Sequence, residues 1–238
     1  MKIKEKLKNI DLYFITDSGL SRKTVLEDVK SALNAGVKII QYREKEKNTG
    51  EMIEEAGKIA GLCRKNNALF IINDRVDVAL AVDSDGVHLG SEDMPYHIAR
   101  KILGYNKIIG LTAHNVKEAV WAEEAGADYA GVSPIFETRT KPDAGTPCGL
   151  ELIEEVKEKI KIPFVAIGGI NEINIKDVVR AGARAVAIIS AIIAESDVEK
   201  ACKKFRKIIL NSCGLQDRGS CVSQDRNNCG LQDSKRED

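Results

Sequence analysis

Gln41, Arg43 and Lys45 stand at alternate positions at the end of the apolar run Ile39-Ile40. In an extended chain alternate residues share a face, so these three side chains converge while Tyr42 and Glu44 turn away. An amide and two cations on the inner face of a core strand cost too much desolvation unless an anion meets them. A phosphate-bearing ligand is one reading. The other is a strand that ends by Gln41, followed by solvated loop residues.

Similar sets follow other apolar runs. Leu69-Phe70-Ile71-Ile72 leads to Asn73-Asp74-Arg75, and Gly86-Val87-His88-Leu89 leads to Ser91-Glu92-Asp93. Lys107-Ile108-Ile109-Gly110 leads to Thr112-Ala113-His114, and Tyr129-Ala130-Gly131-Val132 to Thr138-Arg139-Thr140-Lys141. The last two strands end in Gly168-Gly169 and Ser190. Asp74 and Asp93 suit a hard cation, since Mg2+ takes one or two carboxylates and fills its other positions with water and phosphate. Asp93 could equally cap the helix at Pro95, and Asp74 could pair with Arg75. Arg43, Lys45 and Lys141 supply the positive charge a diphosphate needs. The paired glycines and Ser190 suit a phosphate monoester on backbone N–H groups, or only a tight turn. His114 is a candidate for proton transfer, or a structural hydrogen-bonding residue.

The elements that must carry these residues alternate. Strands are expected near 12–16, 37–41, 69–72, 86–89, 107–110, 129–132, 164–167 and 185–189, with amphipathic helices between them. Asn115-Val116-Lys117-Glu118 reads as a helix cap with Glu three residues on, and Ala-Gly pairs close the helices at 35–36, 125–126 and 181–182. Roughly eight such units make an α/β fold, a (β/α)8 TIM barrel. An open doubly wound sheet is the competing architecture, but Asp17-Ser18-Gly19 is a poor phosphate loop after its first strand. In the barrel every polar set falls on the face where active sites are built. The loop from Ser133 to Gly149 has the composition of a lid, with Gly145 and Gly149 as its flexible points.

Composition narrows the classes. The 238 residues suit one domain, and 36 basic against 36 acidic residues leave no net charge to draw the chain to nucleic acid or a membrane. There is no membrane-length apolar run and no secretory h-region after Met1-Lys2-Ile3-Lys4, so a cytoplasmic protein is expected. Six cysteines without a C-x-x-C pair read as free thiols. The barrel is expected to span 1–210. The segment 211–238, where Cys213-Gly214-Leu215-Gln216-Asp217 recurs at 229–233, is too polar to bury a core face and is expected to be disordered.

Taken in order, Gln41-Tyr42-Arg43-Glu44-Lys45, Asn73-Asp74-Arg75, Gly86-Val87-His88-Leu89-Gly90, Gly131-Val132-Ser133-Pro134-Ile135-Phe136, Thr138-Arg139-Thr140-Lys141, Ala166-Ile167-Gly168-Gly169-Ile170 and Ile189-Ser190 resemble the thiamine-phosphate synthase family. The resemblance covers Leu12 to about Leu210. It implies a magnesium-dependent transferase that joins hydroxymethylpyrimidine diphosphate to thiazole phosphate, releasing diphosphate. It implies that Gln41, Arg43, Lys45, Asn73, Thr112 and Lys141 hold the pyrimidine diphosphate. Arg43, Lys45 and Lys141 would act on the leaving group. By the same resemblance one Mg2+ per site sits on Asp74 and Asp93, and Thr138, Thr140, Gly169, Ile189 and Ser190 hold the thiazole phosphate. Thr112 stands where the family commonly has Ser, and Ser91 where Gln often follows His-x-Gly. The partners implied are small molecules, with no nucleic acid and no membrane. A thiazole tautomerase of the same superfamily, and a silent barrel that binds a thiamine precursor, are the competing functions.

Overall fold

The computed structural model describes residues 3–141 and 144–212. Of the tail expected at 211–238, Asn211 and Ser212 are helical instead, and residues 213–238, with Cys213, Cys221 and Cys229, lie outside the described residues. A 3-10 turn, Ile3–Asn9, leads into β1 (Leu12–Ile15), α1 (Val25–Asn34), β2 (Ile39–Tyr42), α2 (Thr49–Lys65), β3 (Leu69–Asn73) and α3 (Val76–Ala81). Then follow β4 (Gly86–Leu89), α4 (Tyr96–Leu103), β5 (Ile108–Ala113), α5 (Val116–Ala125), β6 (Tyr129–Val132) and α6 (Glu151–Lys159). The described residues finish with β7 (Phe164–Ala166), α7 (Ile175–Ala181), β8 (Ala185–Ile188), the short α8 (Ser190–Ile193) and α9 (Val198–Ser212). All eight strands are parallel, and β8 pairs with β1 to close the barrel.

Local sequence sets the helix ends. Asn115 accepts from the Glu118 amide at 3.0 Å, and Asn48 with Glu51 makes a full capping box on α2. Gly126 closes α5 at φ 94°, a left-handed position open to glycine at little cost.

The core has two layers, because a parallel strand in a barrel is covered on both faces. Outward residues such as Phe14, Ile40, Tyr42, Ile72 and Val132 pack against the helices. Inward residues Tyr13, Ile15, Ile39, Leu69, Ile71, Ile108, Tyr129 and Val165 fill the barrel. Leu7 of the leading turn and Ile10 just after it join this inner set and stopper the end where the strands begin. Each fully buried aliphatic side chain here contributes about 1.5–3 kcal/mol.

That same end carries a buried ion pair. Arg100 donates to Asp128 Oδ2 at 2.6 Å and to the carbonyls of Gly104 and Lys107, and Asp128 also accepts from the Ile109 amide. Removing the carboxylate strands a guanidinium that is 6% exposed. Asp128→Ala is therefore expected to cost about 3 kcal/mol in urea unfolding while kcat stays within about twofold, the group being remote from the strand ends that carry the polar sets.

Candidate active site

The carboxyl ends of the strands surround a cavity of about 300 Å3. It is lined by Gln41, Arg43 and Lys45 from β2 and its loop, and by Asn73 and Asp74 at the end of β3. Asp93 follows β4, Thr112 lies in β5, and Thr138, Thr140 and Lys141 follow β6. Gly169 follows β7, while Ile189 and Ser190 follow β8. Every residue that the resemblance assigns to substrate or metal thus lines one space. β5 runs on to Ala113, so Thr112 is a strand residue aimed inward rather than the start of a loop. Arg75 turns away, bonding Asp77 at 2.5 and 2.9 Å and Thr49 at 2.8 Å.

The loop after β2 is built to hold its cations. Tyr42 and Glu44 point outward from the strand as alternation requires, and Tyr42 is fully buried against the helices. Glu44 is buried too. Its Oε1 accepts from Ser18 Oγ and from the amides of Lys45 and Glu46, while Oε2 faces the Lys47 ammonium at 3.5 Å. Burial raises its pKa, but these donors outweigh burial and hold it below the usual range. The backbone that aims Lys45 is thereby fixed to the loop after β1. Arg43 Nη1 meets Asp17 Oδ2 at 2.7 Å, and its amide donates to Thr16 Oγ1 at 2.9 Å.

Across the mouth, Asp74 and Asp93 share a hydrogen bond, and Asp74 Oδ2 meets Lys45 Nζ at 2.6 Å. Burial, then the hydrogen bond to Asp74, pushes Asp93 up to about 6. For Asp74 burial acts upward too, but Lys45 and the hydrogen bond with Asp93 outweigh it and hold its pKa low. Two carboxylates in such contact keep a proton or take a cation between them. Asp93 Oδ2 accepts from the Gly90 amide at 2.7 Å and does not cap α4, whose N-cap Pro95 has no side-chain cap. Among the described residues no three His, Cys, Asp or Glu side chains gather to hold a metal. Two hard oxygen donors beside a cavity lined by Arg43, Lys45 and Lys141 fit Mg2+, which leaves its other positions to water and phosphate.

The far wall is backbone. Gly168 and Gly169 have φ 106° and 62°, and the loop after β6 is laced to them by Ile135 N to Ile167 O and Phe136 N to Gly168 O, both 3.0 Å. Asn174 Nδ2 donates to Gly169 O at 3.0 Å from the other side. His114 lies at the rim with Nδ1 donating to Ser133 O at 2.6 Å and its amide to Glu118, a structural use of the ring.

The floor holds residues that sequence reasoning passed over. Tyr13, His88 and Tyr129 line the cavity between Gln41 and Thr112. Burial keeps both phenols protonated, pushing their pKa values up. The walls around the His88 ring push its pKa down to about 4, so it is neutral near pH 7. A histidine at inward strand parity was the available signal.

A parallel eight-stranded barrel with clustered cations, a carboxylate pair and a glycine-rich wall at its carboxyl face defines an enzyme class, the phosphate-handling (β/α)8 barrels. The chain belongs to the thiamine monophosphate synthase family, which matches residues 12–192. It is 56% identical to the thiamine-phosphate synthase of Methanosarcina mazei over 85% of this chain and 84% of that protein. It superposes on the thiamine phosphate pyrophosphorylase of Pyrococcus furiosus with a TM-score of 0.81 and 43% identity, covering 87% of this chain and 98% of that one. The (S)-3-O-geranylgeranylglyceryl phosphate synthase of Thermoplasma acidophilum, at 17% identity and a TM-score of 0.65, shares the fold alone.

Proposed function

We infer that this chain is a thiamine-phosphate synthase, a transferase that condenses hydroxymethylpyrimidine diphosphate with thiazole phosphate to thiamine phosphate and diphosphate. The observation that carries the reading is that Arg43, Lys45 and Lys141 line one cavity with the Asp74–Asp93 pair, in a chain of this family. Asp74 and Asp93 would hold one Mg2+ per site. When bound, the ion would neutralise diphosphate charge.

Arg43, Lys45 and Lys141 hold the diphosphate and stabilise the charge that grows on it as the methylene C–O bond breaks. Asn73 helps orient it. Gln41 and Thr112 hold the pyrimidine ring, whose electrons stabilise the methylene cation left behind. Thr138, Thr140, Gly169, Ile189 and Ser190 seat the thiazole phosphate so that the ring nitrogen faces that carbon. The nitrogen donates its lone pair to form the C–N bond and has no proton to lose. No general base is required, which accords with His114 being spent on Ser133. Holding both partners together supplies the orientation term, and walls that exclude water spare the cation from hydrolysis.

Among the described residues no helix is long and apolar enough to cross a membrane. Cys63, Cys148 and Cys202 are free thiols, as suits a reducing compartment, and we place the enzyme in the cytoplasm. The test is product stoichiometry with both substrates present. Equal amounts of thiamine phosphate and diphosphate are expected. Isomerised thiazole without coupling would assign the chain to the tautomerases, and binding without turnover would make it a silent barrel.

A further inference from the structure

A file of hydrogen bonds crosses the cavity floor. Gln41 Nε2 donates to Tyr13 Oη at 2.9 Å, Tyr13 Oη meets Tyr129 Oη at 2.8 Å, Tyr129 Oη meets His88 Nδ1 at 3.0 Å, and His88 Nε2 meets Thr112 Oγ1 at 3.0 Å. Its two ends, Gln41 and Thr112, are the residues assigned above to the pyrimidine ring.

The polarity of the file follows from counting protons. An amide nitrogen only donates, so Tyr13 accepts from Gln41. Tyr13 then has one hydrogen to give, and within the file only Tyr129 can take it. Tyr129 in turn gives its hydrogen to Nδ1 of the neutral His88 ring, which leaves the Nε2–H tautomer donating to Thr112. Running the middle bonds the other way would strand the Tyr13 hydrogen in a buried site, at a cost of about 1–3 kcal/mol. Thr112, already accepting, is left to present its O–H to the cavity, and Gln41 is left to present Oε1. Reversal requires the amide, both phenols, the tautomer and the hydroxyl to turn together.

The barrel makes room for this file. Gly110 of β5 lies between His88 and Tyr129 in register, and a Cβ there would collide with the Tyr129 ring. A Cβ on Gly131 of β6 would come within 2.9 Å of His88 Cε1. Glycine inside a strand weakens it, so two inward glycines at these rings mark space kept for them. The rings also pack on one another, with centroids 5.5 Å apart for His88 and Tyr129 and 6.0 Å for Tyr13 and Tyr129.

We propose that Tyr13, Tyr129 and His88 are positioning residues that lock the hydrogen-bond polarity of Gln41 and Thr112, so that the site selects an aminopyrimidine over its oxo counterpart. An acceptor at Gln41 meets the exocyclic amino group, and a donor at Thr112 meets the ring nitrogen opposite it. An oxo group would set oxygen against Gln41 Oε1, and the amide cannot turn over without reversing the whole file. The proposal rests on the synthase reading.

The test compares dissociation constants of two pyrimidinylmethyl monophosphates, amino and oxo, which lack the good leaving group. The full chain is expected to prefer the amino form by about tenfold or more, because a built hydrogen-bonding site rejects the wrong polarity. Tyr129→Phe keeps the ring and removes the link. It is expected to cut the preference to about threefold or less, while thiazole phosphate affinity stays within about twofold. Tyr13→Phe, which frees the Gln41 amide to turn, is the second variant and should narrow the preference in the same direction. A purely structural role would weaken both pyrimidines alike and leave the ratio unchanged. Retained preference in the variants, with normal amino-form binding to the parent, would overturn the file's role alone. A parent chain that binds neither pyrimidine would overturn the substrate reading with it.

Discussion

Asp74→Asn is expected to lower kcat by about 10²–10³-fold, the loss typical of removing one group that stabilises transition-state charge. Asparagine is the right replacement because Asp74 sits at φ 62°, a left-handed position that Asn tolerates and Ala does not. The variant keeps shape and backbone while deleting the charge that meets Lys45 at 2.6 Å and faces Asp93. Stability should move the other way. Burial first, and then the contact with Asp74, raise Asp93 to about 6, so holding both carboxylates here costs stability. Relieving it should leave Tm unchanged or raise it by about 1–2 °C, the usual trade between a charged active site and stability. Steady-state kinetics and a thermal melt on one preparation check both halves. Full kcat in Asp74→Asn would remove this residue from the mechanism.

Gly169→Ala is expected to raise KM for thiazole phosphate by about 10- to 100-fold and to change KM for the pyrimidine diphosphate little. Gly169 has φ 62°, and an added Cβ would come within 2.8 Å of Phe136 Cβ and collide with the Glu137 carbonyl. Strain of about 1–3 kcal/mol must then be relieved by moving the loop after β6, which leads directly to Thr138 and Thr140. The effect falls on one substrate because the β2 cations and the Asp74–Asp93 pair lie on other strand ends. Separate saturation curves for the two substrates read the split. Equal changes in both KM values would mean that the thiazole wall has been misassigned.

The positions that face the cavity were legible because two simple periods set them. Alternation put Gln41, Arg43 and Lys45 on one face and Tyr42 and Glu44 on the other, and the strand–helix repeat put every polar set at one end of the barrel. The partners of those residues were not legible. Asp17 reads as part of a turn, yet closure of the barrel sets it beside Arg43. Tyr13 lies inside the apolar run of β1 and Tyr129 opens β6, so both read as core. Their oxygens meet only because strands distant in sequence are brought into register around a closed sheet. Gly110 and Gly131 carried a trace of this, since glycine inside a strand signals a close approach, but not of which ring approaches. Asp93 shows the same limit. Its spacing from Pro95 fitted a helix cap, and only the contact with Asp74 distinguishes a paired carboxylate from a cap.

The central claim is that this cavity couples a pyrimidine diphosphate to a thiazole phosphate with Mg2+ on Asp74 and Asp93. The most direct measurement is thiamine phosphate formation by the full chain from both substrates, with Mg2+ and with excess chelator. Formation is expected only when both substrates and Mg2+ are present, with chelator suppressing it and added Mg2+ restoring it. Coupling that runs unchanged in chelator would contradict the assignment of Asp74 and Asp93. Absence of thiamine phosphate under every condition would contradict the account as a whole.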